Sequence, residues 1–156
     1  NPLNITSTAG FYQNVYGSAT VEGQNPVFID LFPSLALDSY VTIGLTTNVG
    51  NAMLDIGIDF TDFEAGGDIV TSNGTWFATP DDAQVLAGAD LKVMIGQFTM
   101  FGMDSYVMGV VNILGKSGNF VTFEARDQYF NAWMCPSPSA IALLGLAGIA
   151  SRRRRK

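Results

Sequence analysis

Apolar and polar residues alternate along several short stretches of the chain, and this alternation is its most regular pattern. Every second residue from Val41 to Leu45 is apolar, with threonine or glycine between. Residues 54–60 alternate in the same way, with aspartate and glycine between the apolar positions. A period of two is typical of a strand with one buried face, so residues 40–47 and 54–60 are predicted to be β-strands.

Further apolar runs predict the remaining strands, at residues 27–32, 69–70, 75–79, 92–100, 106–114, 120–125 and 128–133. Two of them, 92–100 and 106–114, are apolar on both faces and therefore predict central strands. Asn73-Gly74 lies between two runs and predicts a hairpin turn. The GKSGN segment at residues 115–119 predicts another turn.

These nine runs, counted as roughly seven or eight short strands, occur without a long helix and predict an all-β fold, specifically an antiparallel β-sandwich or jelly roll. The strand pattern ends near residue 134. We therefore predict a single-domain β-sandwich body over residues 1–134. The tail, residues 135–156, is predicted to carry a short C-terminal hydrophobic helix.

Charged residues are scarce and unevenly distributed. They make up 14% of the chain, which has 14 acidic and 8 basic residues and a net charge of -6. Five of the basic residues end the chain, so the body has its 14 acids against Lys92, Lys116 and Arg126, a net charge of -11. Such a body repels nucleic-acid phosphates, and we expect no nucleic-acid partner.

The residues needed for common catalytic sites are missing. The chain has no histidine and one cysteine, Cys135, so neither a Ser-His-Asp nor a Cys-His site can be built. The segment Gly115-Lys116-Ser117 resembles the end of a phosphate-binding loop, but Val110 stands where that pattern needs glycine. Paired carboxylates could hydrolyse glycosides, yet nothing selects a pair among the 14 acids. We predict that the chain is not an enzyme.

Two binding chemistries stay open for the body. Asp59, Asp62 and Glu64 lie near a turn and are the candidates for a calcium site, because calcium prefers oxygen ligands; no other metal or cofactor is predicted. Exposed aromatic residues on a β-sandwich can also stack on sugar rings, although most aromatic residues in strands are core. The candidates for such a platform are Trp76, Phe77, Tyr40, Tyr106, Tyr129 and Trp133. The alternative function is therefore a carbohydrate- or calcium-binding module at the cell surface.

After Met134 the chain changes in character. The prolines of Cys135-Pro136-Ser137-Pro138 favour an extended segment. An uncharged apolar run of about 13 residues follows, shorter than the roughly 20 residues that span a bilayer unaided. The predicted membrane-facing residues are Ala140, Ile141, Leu143, Leu144, Leu146 and Ile149.

A basic run closes the chain and is predicted to stop transfer across the membrane. It consists of Arg152, Arg153, Arg154, Arg155 and Lys156. Long basic side chains reach headgroups and favour the cytoplasmic side. The alternative is a small buried helix with a solvated basic end, but five consecutive cations directly after the apolar run favour a membrane segment.

The order of these features resembles a PEP-CTERM sorting domain, over residues 136–156. The matching features are the Pro-x-Pro motif Pro136-Ser137-Pro138, a short Ala/Leu/Gly-rich helix and a terminal arginine cluster. The resemblance implies export, transient anchoring in the inner membrane and recognition by an exosortase, a membrane-embedded cysteine protease or transpeptidase that cuts near the motif. Ser137 stands where the family usually has glutamate, which bears on cleavage more than on anchoring.

The body is also similar to uncharacterised exported proteins that carry such tails, in the segments FPSLALDSYVTIGL, DIGIDFTDFEAGG and NGTWFATPDDAQ. In those proteins further strands precede the region matching Asn1, so we expect a leader and first strands upstream. The resemblance implies a non-catalytic protein of the cell envelope, cell surface or extracellular matrix. Its expected partners are the exosortase, the membrane through the tail, and exopolysaccharide.

Overall fold

The computed structural model describes residues 2–119 and 121–133, which form antiparallel strands and a few short helices. The strands of this part are β1 Leu3–Ser7, β2 Tyr40–Val41, β3 Leu54–Ile56, β4 Ile69–Thr71, β5 Thr75–Phe77, β6 Gly96–Gln97, β7 Tyr106–Lys116 and β8 Thr122–Trp133. The helices are α1 Pro26–Leu31, α2 Thr61–Glu64 and 3-10 turns at Val21–Gly23, Pro33–Leu37 and Ala83–Val85. The prediction of a mostly β structure with antiparallel strands is confirmed.

The strands form one larger sheet and two small ribbons. The sheet has the order β4-β1-β7-β8, and the ribbons are β2-β6 and β3-β5. All of these pairings are antiparallel. β7, which the sequence predicts to be central, lies between β1 and β8, so that prediction is confirmed. The predicted central strand at 92–100 is wrong, because only Gly96–Gln97 is strand there and it pairs with β2 alone.

The core lies against one face of the four-stranded sheet. Ile5 of β1, Ile69 of β4 and Val107 of β7 are buried on this face. They belong to a cluster that also includes Phe11 and Phe63, whose rings meet edge to face with centroids 5.4 Å apart. Such aromatic geometry adds to the free energy gained by burying the rings. The face on which the core rests determines which side chains of the sheet remain available for binding.

The predicted strand at residues 27–32 is wrong, because this segment is the helix α1. Asn25 caps the helix: its side-chain oxygen accepts a hydrogen bond from the Val27 N–H at 2.9 Å. Pro26 occupies the first turn, where its missing N–H has no cost. Val27 and Leu31 are both more than 60% exposed, so the apolar run does not mark a buried strand.

The predicted hairpin at Asn73-Gly74 is also wrong. β4 pairs with β1, and β5 pairs with β3. A Cβ added to Gly74 would lie 2.5 Å from the carbonyl oxygen of Gly57. The Thr71 hydroxyl donates to that same carbonyl oxygen at 3.1 Å. The two glycines therefore allow a close backbone crossing that joins β3 to β5 over a long sequence separation.

The predicted turn at residues 115–119 is confirmed as the turn of the β7–β8 hairpin. The Ser117 N–H donates to the Val121 carbonyl at 2.9 Å. A strand follows this turn, whereas a phosphate-binding loop requires a helix. Residues 122–125 and 128–133 of the two predicted strands are parts of the single strand β8. Residue 120 lies outside the described residues.

The predicted tail, with its Pro-x-Pro motif at 136–138, apolar run and terminal cations, lies outside the described residues. Among residues 2–119 and 121–133, no helix is long and apolar enough to cross a membrane.

Candidate functional site

One face of the four-stranded sheet points away from the core. The register places Tyr106 opposite Trp133 and Val110 opposite Tyr129, and Asn4 lies beside Val110 on the other side. These residues alternate with the buried ones and so share the outer face. We call this surface the open face; its residues are Asn4, Thr6, Val70, Tyr106, Met108, Val110, Tyr129, Asn131 and Trp133.

A β-bulge brings the aromatic residues of β8 to the open face. Val111 pairs with Gln128 and Ile113 pairs with Ala125, so the single residue Asn112 lies opposite both Arg126 and Asp127. An extra residue of this kind reverses the alternation of side chains along the strand.

The backbone at the bulge has an unusual conformation. Asp127 has a φ of 51°, in the left-handed region, and its N–H donates to the Asn112 side-chain oxygen at 2.9 Å. Phe123 before the bulge covers Gly115, and Phe130 after the bulge covers Gly109. Both glycines lie on the same face of β7, so both phenylalanines face the core side and Tyr129 faces outwards.

The exposed aromatic residues form two ends of a platform. Tyr129 is 79% exposed and Trp133 is 64% exposed. They lie four residues apart on one strand, which corresponds to about 13 Å at roughly 3.3 Å per residue. The rings of Trp133 and Tyr106 are 4.6 Å apart at an angle of 37°, and Asn131 lies between the two ends. The arrangement offers two separated aromatic faces with an amide between them.

The open face has no charged residue, although the body is strongly acidic. Its polar groups are the amides of Asn4 and Asn131 and the hydroxyls of Thr6 and the tyrosines. Amides and hydroxyls both donate and accept hydrogen bonds. The chemistry of this surface therefore matches a neutral ligand with hydroxyl groups and apolar C–H faces.

The other three aromatic candidates lie elsewhere. Tyr40 is buried, and this burial, with the nearby charge of Asp38, raises the pKa of its hydroxyl. Trp76 is half-buried, and its indole N–H donates to the Thr42 carbonyl at 3.1 Å. Phe77 lies opposite Leu54 on the β3–β5 ribbon. Only three of the six sequence candidates thus share one surface. Asn4, Met108 and Asn131 are not among the sequence candidates, because only the strand register identifies them.

The acidic residues considered for calcium have local structural roles. Asp59 accepts hydrogen bonds from the Thr61 hydroxyl at 2.6 Å and the Thr61 N–H at 3.0 Å, and these bonds lower the pKa of its carboxyl. Glu64 accepts from the Ala19 N–H at 3.3 Å. Over residues 2–119 and 121–133, no three histidine, cysteine, aspartate or glutamate residues form a group that could hold a metal ion. Asp59, Asp62 and Glu64 are therefore not brought together.

Asp38 is a buried acid that the sequence analysis did not identify. Its carboxylate accepts from the Asn14 N–H at 2.7 Å and from the Gln24 side-chain amide at 3.0 Å. Burial raises the pKa of the carboxyl, while the hydrogen bonds oppose this change. A Cβ on Gly17 would collide with the same carboxylate. Asp38 therefore holds several loops together and is not exposed to a ligand.

Comparison with protein-family models found no match, and comparisons with curated proteins and with solved structures found none either. The resemblance of the tail to a sorting domain stays a prediction.

Proposed function

We propose that the chain is an exported, non-catalytic protein of the cell surface or extracellular matrix, sorted and processed through its C-terminal tail. The separation of an acidic β-rich body from an apolar run with terminal cations supports this proposal. The β-sandwich or jelly-roll arrangement belongs to the same proposal. It is supported by a core that includes Ile5 of the large sheet and Val41 of one ribbon, with the partly buried Trp76 of the other ribbon packed against it.

Cell fractionation tests the proposed location. An internally tagged gene is expressed, and the mature protein is expected outside the inner membrane, shortened by the segment after the Pro-x-Pro motif. Deleting residues 152–156 should change retention and leave the β-type circular dichroism of the body unchanged. Full-length protein in the cytosol would refute the proposed location, and loss of the β-type signal would show that the tail is not separable.

The open face favours a more specific function, the binding of neutral polysaccharide. The observation that carries it is the pair of exposed rings, Tyr129 and Trp133, spaced along one strand with Asn131 between them. The C–H faces of sugar rings would stack on the aromatic rings, and the amide would bind hydroxyl groups. Exposed aromatic surface of this kind on a soluble domain marks an interaction site.

We expect each contact to be weak. If a stacked sugar contributes about as much as an aromatic pair, roughly 1 kcal/mol, then each ring changes affinity by about fivefold. Many copies along one polysaccharide chain would strengthen retention through avidity. The uncharged face also predicts that binding depends little on salt, since screening acts on charges.

Retention on an insoluble neutral glucan tests this function. Tyr129→Ala and Trp133→Ala should each weaken retention by about fivefold, with thermal melts showing that the body remains folded. Phe77→Ala is the matched control, because Phe77 is exposed but lies on the β3–β5 ribbon. Equal loss in all three variants, or no loss in the first two, would contradict glycan binding by the open face. That result would leave the export proposal standing.

A further inference from the structure

A second concave surface lies beside the far half of the β7–β8 hairpin. A cleft of about 1050 Å³ separates this half from the β3–β5 ribbon and from the loop before β6. Ordinary ligand pockets measure about 300–1,000 Å³. Its apolar lining includes Ile43, Trp76, Leu86, Ile95, Ile113 and Phe123. The cleft shares no residue with the open face and plays no part in the function proposed above.

One wall of the cleft is formed by residues 113–116 of β7, which pair with no strand other than β8 in the described part of the chain. β1 pairs with β7 from Val107 to Val110, whereas β7 continues to Lys116. Across the described part of the chain, β8 is the only strand that pairs with β7 beyond Val110. Alternate backbone N–H and C=O groups of residues 113–116 therefore face away from β8 and have no strand partner among the described residues. An edge of this kind accepts an added strand by backbone hydrogen bonding.

Two of the three cations of the body lie at the same place. Lys116 and Arg126 line the cleft, and Lys92 does not. Arg126 is 2.7 Å from Glu124, whereas Lys116 has no ion-pair partner among residues 2–119 and 121–133. Glu124 also lines the cleft and offsets Arg126, so the remaining charge is that of Lys116, which favours an acidic group on whatever occupies the cleft.

We propose that the cleft is a β-augmentation site for an extended segment of a partner protein, which pairs with β7 at residues 113–116. The segment has apolar residues at every second position, which enter the cleft against Ile113 and Phe123. The alternate positions lie on the face of Lys116, and at least one of them is acidic. A lipid could fill the apolar cleft, but only a polypeptide strand also pairs the backbone groups of the edge.

Peptide titration of the full chain tests this site. The probe is a blocked decapeptide of alternating valine and aspartate, and the matched peptide has lysine in place of aspartate. We expect the acidic peptide to bind and to slow hydrogen exchange at the alternate amides of residues 113–116 that face away from β8. Lys116→Glu should weaken binding by about fivefold. Lys92→Glu, which makes the same charge change outside the cleft, should alter binding by less than about twofold.

Several results would overturn the proposal. Absence of binding by both peptides, or equal losses in the Lys116→Glu and Lys92→Glu variants, would exclude a specific strand site. Binding of hexadecanoate in the cleft, with no amide protection by either peptide, would identify a lipid site instead. Amides protected before peptide is added, in a chain that sediments as a dimer, would show that a second copy already occupies the edge.

Discussion

Substitution of Gly109 by alanine tests how the central strand is packed. Gly109 lies opposite Phe130 in the β7–β8 hairpin. A Cβ at this position would lie 2.5 Å from two ring atoms of Phe130 and 3.1 Å from the Asn4 carbonyl oxygen. Moving the ring aside would disturb its stacking on Phe98, with centroids 6.4 Å apart.

The expected cost follows from two opposing effects. Overpacking of a core site costs about 1–3 kcal/mol. Replacing a strand glycine by alanine gains about 0.5–1 kcal/mol through the lower entropy of the unfolded chain. We therefore expect Gly109→Ala to lower the free energy of unfolding by about 1–2 kcal/mol. For a domain of this size, the midpoint temperature of thermal unfolding should fall by roughly 2–8 °C.

Urea unfolding followed by circular dichroism measures this change. Gly118→Ala is the control, because a Cβ there has no neighbour within 4 Å. Leucine lacks the outer ring atoms of phenylalanine, so Phe130→Leu should remove part of the clash. The double variant should then show a coupling of about 0.5–1.5 kcal/mol. The reasoning is refuted if Gly109→Ala is as stable as the Gly118→Ala control, or if the two substitutions add without coupling.

Substitutions at three further positions test other parts of the structure. Because the pKa of Asp38 is raised in the folded state, its contribution to the free energy of unfolding is largest below the ordinary aspartate pKa and is lost as pH rises through the folded-state pKa. Asp38→Asn should remove this pH dependence of stability. Urea unfolding at a series of pH values measures it as a difference from the parent chain. Asn25→Ala should cost about 1 kcal/mol of unfolding free energy by removing the cap of α1, while Asn25→Asp should keep most of it. Asp127→Val should cost about 1–2 kcal/mol, because a β-branched residue is strained at a positive φ, whereas Asp127→Gly should avoid that strain; thermal melts of both variants check the difference.

The sequence predicted the fold best where the signal is local and regular. The long apolar run of β7 and the Gly-rich turn after it led to the correct hairpin. The alternation around Val41 and Leu54 correctly predicted strands, although these strands are only two and three residues long. The predicted buried face of the second strand is wrong, because Leu54 and Ile56 are 61% and 66% exposed. The rest of each segment forms loops, whose backbone groups make hydrogen bonds to other loops and to side chains.

Other features could not be read from local patterns. The apolar side chains of α1 are exposed, so they produced the pattern of a strand without the burial that usually causes it. The pairing of β3 with β5 depends on the contact between Gly57 and Gly74, which lie far apart in the sequence. Three aromatic residues of the open face were among the sequence candidates. Their grouping could not be predicted, because it requires the register of three strands and the bulge at Asp127.

The bulge also determines how related chains should be aligned in this region. Phe123 and Phe130 face the same way although seven positions separate them, and an uninterrupted strand would place them on opposite sides. An insertion or deletion of one residue between them would exchange the solvent-facing and core-facing side chains of residues 128–133. A change of two residues would preserve both faces. In any homologue, the length of this interval, more than the identity of the residues within it, therefore decides whether the tyrosine and tryptophan meet solvent.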